Sequence, residues 1–130
     1  MTFEVVMPER RVLSATVDEV VLPGKMGYFG VLPGHAPFLT SLSIGLITYR
    51  IGERSHYIAV SWGFCEVLYD KVIVLAETAE KAEEIDLQRA LDKKQQAEEI
   101  LRLKKGDLEF KTAEIRLRKA LARIEAHGKL

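Results

Sequence analysis

The run Val72-Ile73-Val74-Leu75-Ala76-Glu77-Thr78-Ala79-Glu80-Lys81-Ala82-Glu83-Glu84-Ile85-Asp86-Leu87-Gln88-Arg89-Ala90 changes character in its middle. Val72 to Ala76 is an unbroken aliphatic stretch suited to a buried strand. Asp86 is a helix-capping side chain, and Ile85 and Ala90 flank it at the spacing of a hydrophobic staple. Working outward, the two sides of this switch differ in composition. Residues 1–79 hold all four prolines, seven of nine glycines and nine of ten aromatics, with only fourteen charges. Residues 80–130 carry twenty-four charges, no proline and one aromatic, Phe110. Prolines and glycines punctuate short strands, whereas a proline-free segment rich in Ala, Leu, Glu, Lys and Arg favours helix. The expected fold is α+β: an N-terminal antiparallel β-sandwich or barrel over 1–84, then a C-terminal antiparallel two-helix hairpin over 85–130.

In the first half, apolar runs recur at Phe3–Met7, Val17–Leu22, Ile44–Ile51, His56–Val60, Phe64–Tyr69 and Val72–Ala76. Turn signals at Pro23-Gly24, Pro33-Gly34, Gly52-Glu53 and Asp70-Lys71 separate them. Short runs at this spacing, with no helix long enough for a crossover between them, predict antiparallel pairing throughout. In the second half, Gly106 is placed as the residue just past the first helix and Asp107 as N-cap of the second, with Lys104 and Lys105 in the first helix's last turn. The second helix carries a stripe of Phe110, Ala113, Leu117, Ala120, Leu121 and Ile124. The first carries Leu87, Ala90, Leu91, Ala97, Ile100 and Leu101, interrupted by Lys93-Lys94-Gln95-Gln96. A hairpin with one broken seam closes weakly and is free to open or dock elsewhere.

The 130 residues are 48% hydrophobic and 29% charged, a globular balance, and nineteen basic side chains cancel nineteen acidic ones. Net neutrality removes the global electrostatic case for nucleic acid or an anionic membrane. No apolar run approaches the ~20 residues of a membrane helix. Neither a secretory leader nor a lipidation box is expected from the termini. The single Cys65 excludes an intramolecular disulfide, and in a predicted strand it reads as a buried, inert thiol. His35, His56 and His127 have no metal-site spacing, and Gly24-Lys25 lacks the rest of a phosphate-binding loop. His35, in a proline-rich loop, reads as a loop brace rather than a base. No residue group suggests catalysis.

The most distinctive segment is Gly27-Tyr28-Phe29-Gly30-Val31-Leu32-Pro33-Gly34-His35-Ala36-Pro37-Phe38-Leu39-Thr40. It is followed by Trp62-Gly63-Phe64-Cys65-Glu66-Val67, Val74-Leu75-Ala76-Glu77 and Ile85-Asp86-Leu87-Gln88-Arg89-Ala90. These elements together resemble the epsilon subunit of the F-type ATP synthase, the counterpart of the mitochondrial delta subunit. The resemblance runs essentially the whole length, with Trp62 standing where that family usually has glycine. It implies a non-catalytic central-stalk subunit whose head binds the gamma subunit and touches the c-subunit ring, coupling rotation to proton flow. The loop residues Gly30, Pro33, Gly34, His35, Ala36 and Pro37 belong to that implied partner surface. The helices are implied to extend toward the alpha and beta subunits and restrain ATP hydrolysis. Their basic side chains Arg116, Arg118 and Arg123 suit an acidic partner. The implied location is peripheral, through the complex only, on the cytoplasmic face of a bacterial plasma membrane or the stromal face of a thylakoid.

No cofactor is required, but the resemblance implies a low-affinity regulatory ATP site. Ile85, Asp86, Arg89 and Ala90 match its first-helix motif, and Lys119 and Arg123 match two arginines of the second helix. Lys119 keeps the charge there but loses the planar fork of arginine. A rival reading is a freestanding adaptor whose helical hairpin binds nucleic acid. The net charge of +2 over residues 80–130 is thin for that role.

Overall fold

Eight strands and two helices make up the computed structural model, which describes residues 1–103 and 106–130. The strands are β1 (Thr2–Val6), β2 (Arg11–Thr16), β3 (Glu19–Gly24), β4 (Gly27–Val31), β5 (Phe38–Leu42), β6 (Gly45–Ile51), β7 (Arg54–Leu68) and β8 (Lys71–Lys81). A short 3-10 turn, Ala82–Glu84, leads into α1 (Leu87–Leu103), and α2 spans Asp107–Gly128. The strand path is β2-β1-β8-β7-β5-β3-β4, with β6 bridging β3 and β7. One pairing departs from the antiparallel expectation: β1 runs parallel to β8, Thr2 opposite Lys71 through Val6 opposite Leu75. No crossover helix is needed, because the chain linking these two strands is the rest of the head itself.

Three strands lie outside the predicted apolar runs, for a shared reason. On β2 only Val12 is buried, on β4 only Val31 and on β5 only Leu42. A strand that commits one side chain to the core shows little alternation. Conversely, the separate runs His56–Val60 and Phe64–Tyr69 lie almost wholly in one fifteen-residue strand, β7. Its first part pairs with β6, Ile51 opposite Arg54 through Gly45 opposite Val60, and its last part pairs with β5, Leu42 opposite Gly63 through Phe38 opposite Val67. At the junction Trp62 has φ +49° and Gly63 φ +140°. Core-facing positions change parity there, from Ile58 and Val60 to Cys65 and Val67. On the facing strand β8 they change from Val72, Val74 and Ala76 to Ala79.

The main core joins Phe3, Val5, Val20, Leu22, Val31, Ile47, Tyr49, Ile58, Val67 and Val72, among others, and all its buried members fall between residues 3 and 79. A second cluster of Leu46, Ala59, Ala82, Ile85, Ala122 and Ala126 seats the helices against the head. The hairpin seam is built from alanine. Ala90 and Ala97 on α1, and Ala113 and Ala120 on α2, are buried at seven-residue spacing. The larger members Leu91, Phe110 and Leu121 of the predicted stripes are exposed instead. At the start of α2, Gly106 rather than Asp107 is the N-cap, and Asp107 begins the helix, where its charge still meets the helix dipole. The expectations for Lys104 and Lys105 fall outside the described residues.

A Cβ on Gly63 would meet the Leu75 carbonyl oxygen at 2.0 Å, backbone that cannot yield, and φ +140° disfavours any side chain as well. Gly63→Ala is therefore expected to cost at least about 3 kcal/mol. Urea unfolding of the full chain followed by circular dichroism checks this; an unchanged midpoint would show that the β7 junction tolerates a side chain.

Candidate functional site

The helices begin where β8 runs out. The Asp86 carboxylate accepts a hydrogen bond from the Arg89 N–H at 3.1 Å, while the Ala90 N–H donates to the Asp86 carbonyl at 3.1 Å. Asp86 is thus an N-cap, satisfying a donor that the first turn leaves unpaired. On either side of it Ile85 and Ala90 are buried.

With α1 started here, its first turns lie over the end of β8 and beside α2. A cavity of about 280 Å³ is lined by Asp86, Arg89, Ala90, Lys93 and Arg123 together with Arg10, Thr78 and Glu80 of the head. A second, of about 340 Å³, lies between the helices and is lined by Lys93, Gln96, Ala97, Ile100, Arg116, Lys119 and Arg123. Lys93 and Arg123 line both. Of the six residues matched to a nucleotide site, Asp86, Arg89, Ala90 and Arg123 share the first cavity, and Lys119 joins Arg123 at the second. Ile85 lines neither and packs in the helix–head cluster.

The cleft is strongly cationic. Glu80 accepts from the Arg123 Nε–H at 3.0 Å and, with Asp86, is one of two carboxylates in the lining of the first cavity. Burial holds the Lys93 ammonium below the ordinary lysine range, and the neighbouring charges of Arg89, Arg123 and Arg116 push it the same way against Glu80. Sequence reading passed over Lys93 as part of an interrupted seam. Its signal was its position four residues after Arg89, which puts both cations on one helix face. Glu80 carried no such signal, since only tertiary packing brings β8 to α2.

Arg116, Arg118 and Arg123 do not form one solvated face. Arg116 lines the interhelical cavity, Arg118 donates to the Ser43 hydroxyl at 3.0 Å, and Arg123 pairs with Glu80. Lys119 sits over the Trp62 ring, 4.6 Å from its centroid. The hairpin is therefore folded down onto the head, held by small apolar contacts and these three polar ones. A partly exposed ion pair contributes about 0.5–1 kcal/mol and a cation over an aromatic face about the same.

At the other end of the head, the Gly34 N–H donates to the Tyr69 carbonyl at 3.0 Å and the His35 N–H to Leu32 at 3.2 Å. His35 Nδ1 donates to the Ala36 carbonyl at 2.7 Å, so this ring braces its own loop. Gly30 pairs with Val21 inside β4, while Pro33, Gly34, Ala36 and Pro37 are exposed. The Cys65 thiol is buried, which pushes its pKa up to about 12 and leaves it inert at neutral pH. Among the described residues no group of three or more His, Cys, Asp and Glu side chains could hold a metal ion.

A β-sandwich with a folded-down helical hairpin defines an architecture found in rotary ATP synthases. Residues 1–82 match the family model for the ATP synthase delta/epsilon chain beta-sandwich domain, and residues 83–128 match that for its long alpha-helix domain. The chain is 50% identical to the ATP synthase epsilon chain of Trichlorobacter lovleyi over 130 residues, covering 99% of this chain and 94% of that one. It is likewise 50% identical to that of Geobacter metallireducens over 127 residues, covering 97% and 92%. In structure it superposes on a chain of the Euglena gracilis mitochondrial ATP synthase with a TM-score of 0.82 at 21% identity, covering 95% of this chain and 78% of the other. The chain belongs to the ATP synthase delta/epsilon family. Its role is that of a central-stalk subunit of the F-type ATP synthase, and nothing supports the nucleic-acid adaptor reading.

Trp62 is the sole tryptophan and touches α2, so its emission reports docking. Arg123→Ala should leave Glu80 without its partner and loosen the hairpin, shifting Trp62 emission to the red and exposing α2 to protease. Emission and proteolysis indistinguishable from wild type would mean that this ion pair does not hold the hairpin down.

Proposed function

We propose that this chain couples rotation to proton flow through its head and restrains ATP hydrolysis through its helices, without catalysing a reaction itself. The observation that carries this reading is the contrast between the two parts. The head has a core of its own, whereas the hairpin is fastened to it by alanines and three polar contacts. Such a hairpin can leave the head without unfolding it. Its tip carries the exposed apolar side chains Leu103, Leu108 and Phe110, which the head does not cover.

The head offers two adjoining surfaces for the gamma subunit and the c-subunit ring. Exposed Phe64 pairs with exposed Leu75, and exposed Leu39 lies two residues along the same face of β5. Beside them, exposed Leu68 and Tyr69 adjoin the loop containing Pro33, Gly34, His35, Ala36 and Pro37, tied down at Tyr69. An apolar surface of this kind suits a lasting subunit interface. No helix among the described residues is long and apolar enough to cross a membrane. Membrane association then comes through the complex, on the cytoplasmic face of the plasma membrane in a bacterium. The Euglena assembly that holds the superposed chain contains F1 and a c-ring, which supports this reading.

Truncation after Glu84 should leave a folded head that still binds gamma, while hydrolysis by the complex rises. Replacing Arg116, Arg118 and Arg123 together with alanine should reproduce part of that rise and spare gamma binding. Co-purification and hydrolysis assays on the assembled complex decide it; a truncated chain that folds but no longer holds gamma would overturn the assignment of the head.

The cleft between the helices and β8 is the regulatory ATP site of this reading, supported by Arg89 and Arg123 on one cavity and Lys119 on its neighbour. ATP bridging both helices shifts the hairpin toward the folded-down, non-restraining form by its differential affinity for that form. At tenfold excess over the dissociation constant it adds about 1.4 kcal/mol. Calorimetry with millimolar ATP should show weak binding that Arg89→Ala largely abolishes. Equal binding by both chains would reduce Ile85–Ala90 to a helix start.

A further inference from the structure

Trp62 is held at φ +49°, a left-handed conformation that disfavours a bulky side chain and that glycine adopts freely. Core packing does not offset that strain. The ring is only half-buried and belongs to neither apolar cluster. Among the described residues it pairs with no other aromatic ring. What it meets is the Lys119 ammonium, 4.6 Å from the ring centroid.

The backbone ties this ring to the link between β5 and β6. Trp62 is missing from the β7–β8 register, in which Ser61 faces Thr78 and Gly63 faces Ala76. Its N–H donates instead to the Ser43 carbonyl at 3.3 Å. The Ser43 hydroxyl in turn accepts at 3.0 Å from Arg118, the neighbour of Lys119 on α2. Two consecutive cations of the helix therefore meet two residues of the head that are bonded to each other. We propose that Ser43 and Trp62 form a seat for the Arg118–Lys119 pair, and that the strained tryptophan closes the hairpin without any ligand. A π face and a hydroxyl receive cations without a carboxylate, and tryptophan is the strongest ring for this contact. Because such a contact is weak at a partly exposed site, the seat biases α2 toward the head and does not lock it there.

The test uses the full chain without nucleotide. Ala59 on β7 is buried in one cluster with Ala122 and Ala126 of α2, so Ala59→Cys places a thiol that reacts when the hairpin opens. Cys65 stays silent, because burial pushes its thiol up to about 12. The rate of maleimide labelling then follows the open population. In this background Trp62→Gly should raise the rate about three- to fivefold, and Trp62→Phe, with a weaker ring, by less. Trp62→Asn, which tolerates a positive φ but offers no ring, should match Trp62→Gly and so exclude glycine flexibility as the cause. Lys119→Gln should open the hairpin as far as Trp62→Gly does, while Lys119→Arg, which keeps a cation for the ring, should label at the starting rate. Combining Trp62→Gly with Lys119→Gln should add nothing, since both remove the same contact. Hydrogen exchange across α2 in chains that keep Ala59 should rank the variants in the same order. Unchanged labelling in Trp62→Gly and Trp62→Asn, or single effects that multiply in the double variant, would overturn the seat. Either result would leave the proposed restraint of hydrolysis standing, because the seat is measured on the chain alone.

Discussion

Two consecutive left-handed backbone residues in the middle of β7 set the geometry on which the rest of the head depends. An extended strand cannot change which of its faces meets the core, because alternate side chains point to opposite sides. With φ positive at Trp62 and Gly63, β7 changes parity once, and β8 opposite it changes too. That single adjustment lets one long strand pair with β6 over one half and β5 over the other while both halves feed the same core. It also fixes what is left outside. Below the junction the outer face carries Phe64 and Leu75, and above it Ala59, which receives the helices. Gly63 is held there by contact with Leu75, and Trp62 tolerates an unfavourable φ while its ring extends to Lys119. A residue at a strained corner of the sheet therefore doubles as a contact for the helical hairpin.

The closure of the hairpin follows from side-chain size. Alanines let the helices approach the head and each other closely, but each contributes little apolar area, about one methyl group. The polar contacts are of the kind worth a kcal/mol or less each in partly exposed settings. Weak closure is what a regulatory element requires, since a few kcal/mol of differential binding must be enough to move it.

Much of this was legible in the sequence, and the parts that were not share physical causes. The composition break at residues 80–85 marked the change from strand to helix, and Asp86 announced its cap through side-chain chemistry alone. Edge and one-sided strands such as β2 and β4 were hidden because a single buried residue makes no pattern. The parallel pairing of β1 with β8 was hidden because it joins the two ends of the head, a relation no local window contains. On α2 the large apolar residues suggested the buried side, yet Ala122 and Ala126 occupy it, because close approach selects for small volume over hydrophobicity. In the cleft, Arg89 and Arg123 were readable by resemblance. Lys93 was visible only as a break in a seam, and its meaning depended on α2 and β8 arriving beside it.

The arginines of α2 cannot serve two masters. Folded down, Arg118 donates to Ser43, Arg123 to Glu80, and Arg116 lines a cleft crowded with other cations. On the proposed role, an acidic partner surface on the catalytic subunits would claim these same side chains when the hairpin extends. The two sets of contacts exclude each other, because one guanidinium cannot reach both its own head and a distant subunit. The head then acts as an internal competitor for the restraining charges, and Glu80 is its main contribution. An anion in the cleft strengthens the head's side of this competition without touching the partner. It neutralises the repulsion among Arg89, Lys93, Arg116 and Arg123 that otherwise favours separation of the two helices from β8. The regulation proposed for this chain thus reduces to where four cations find their counter-charge.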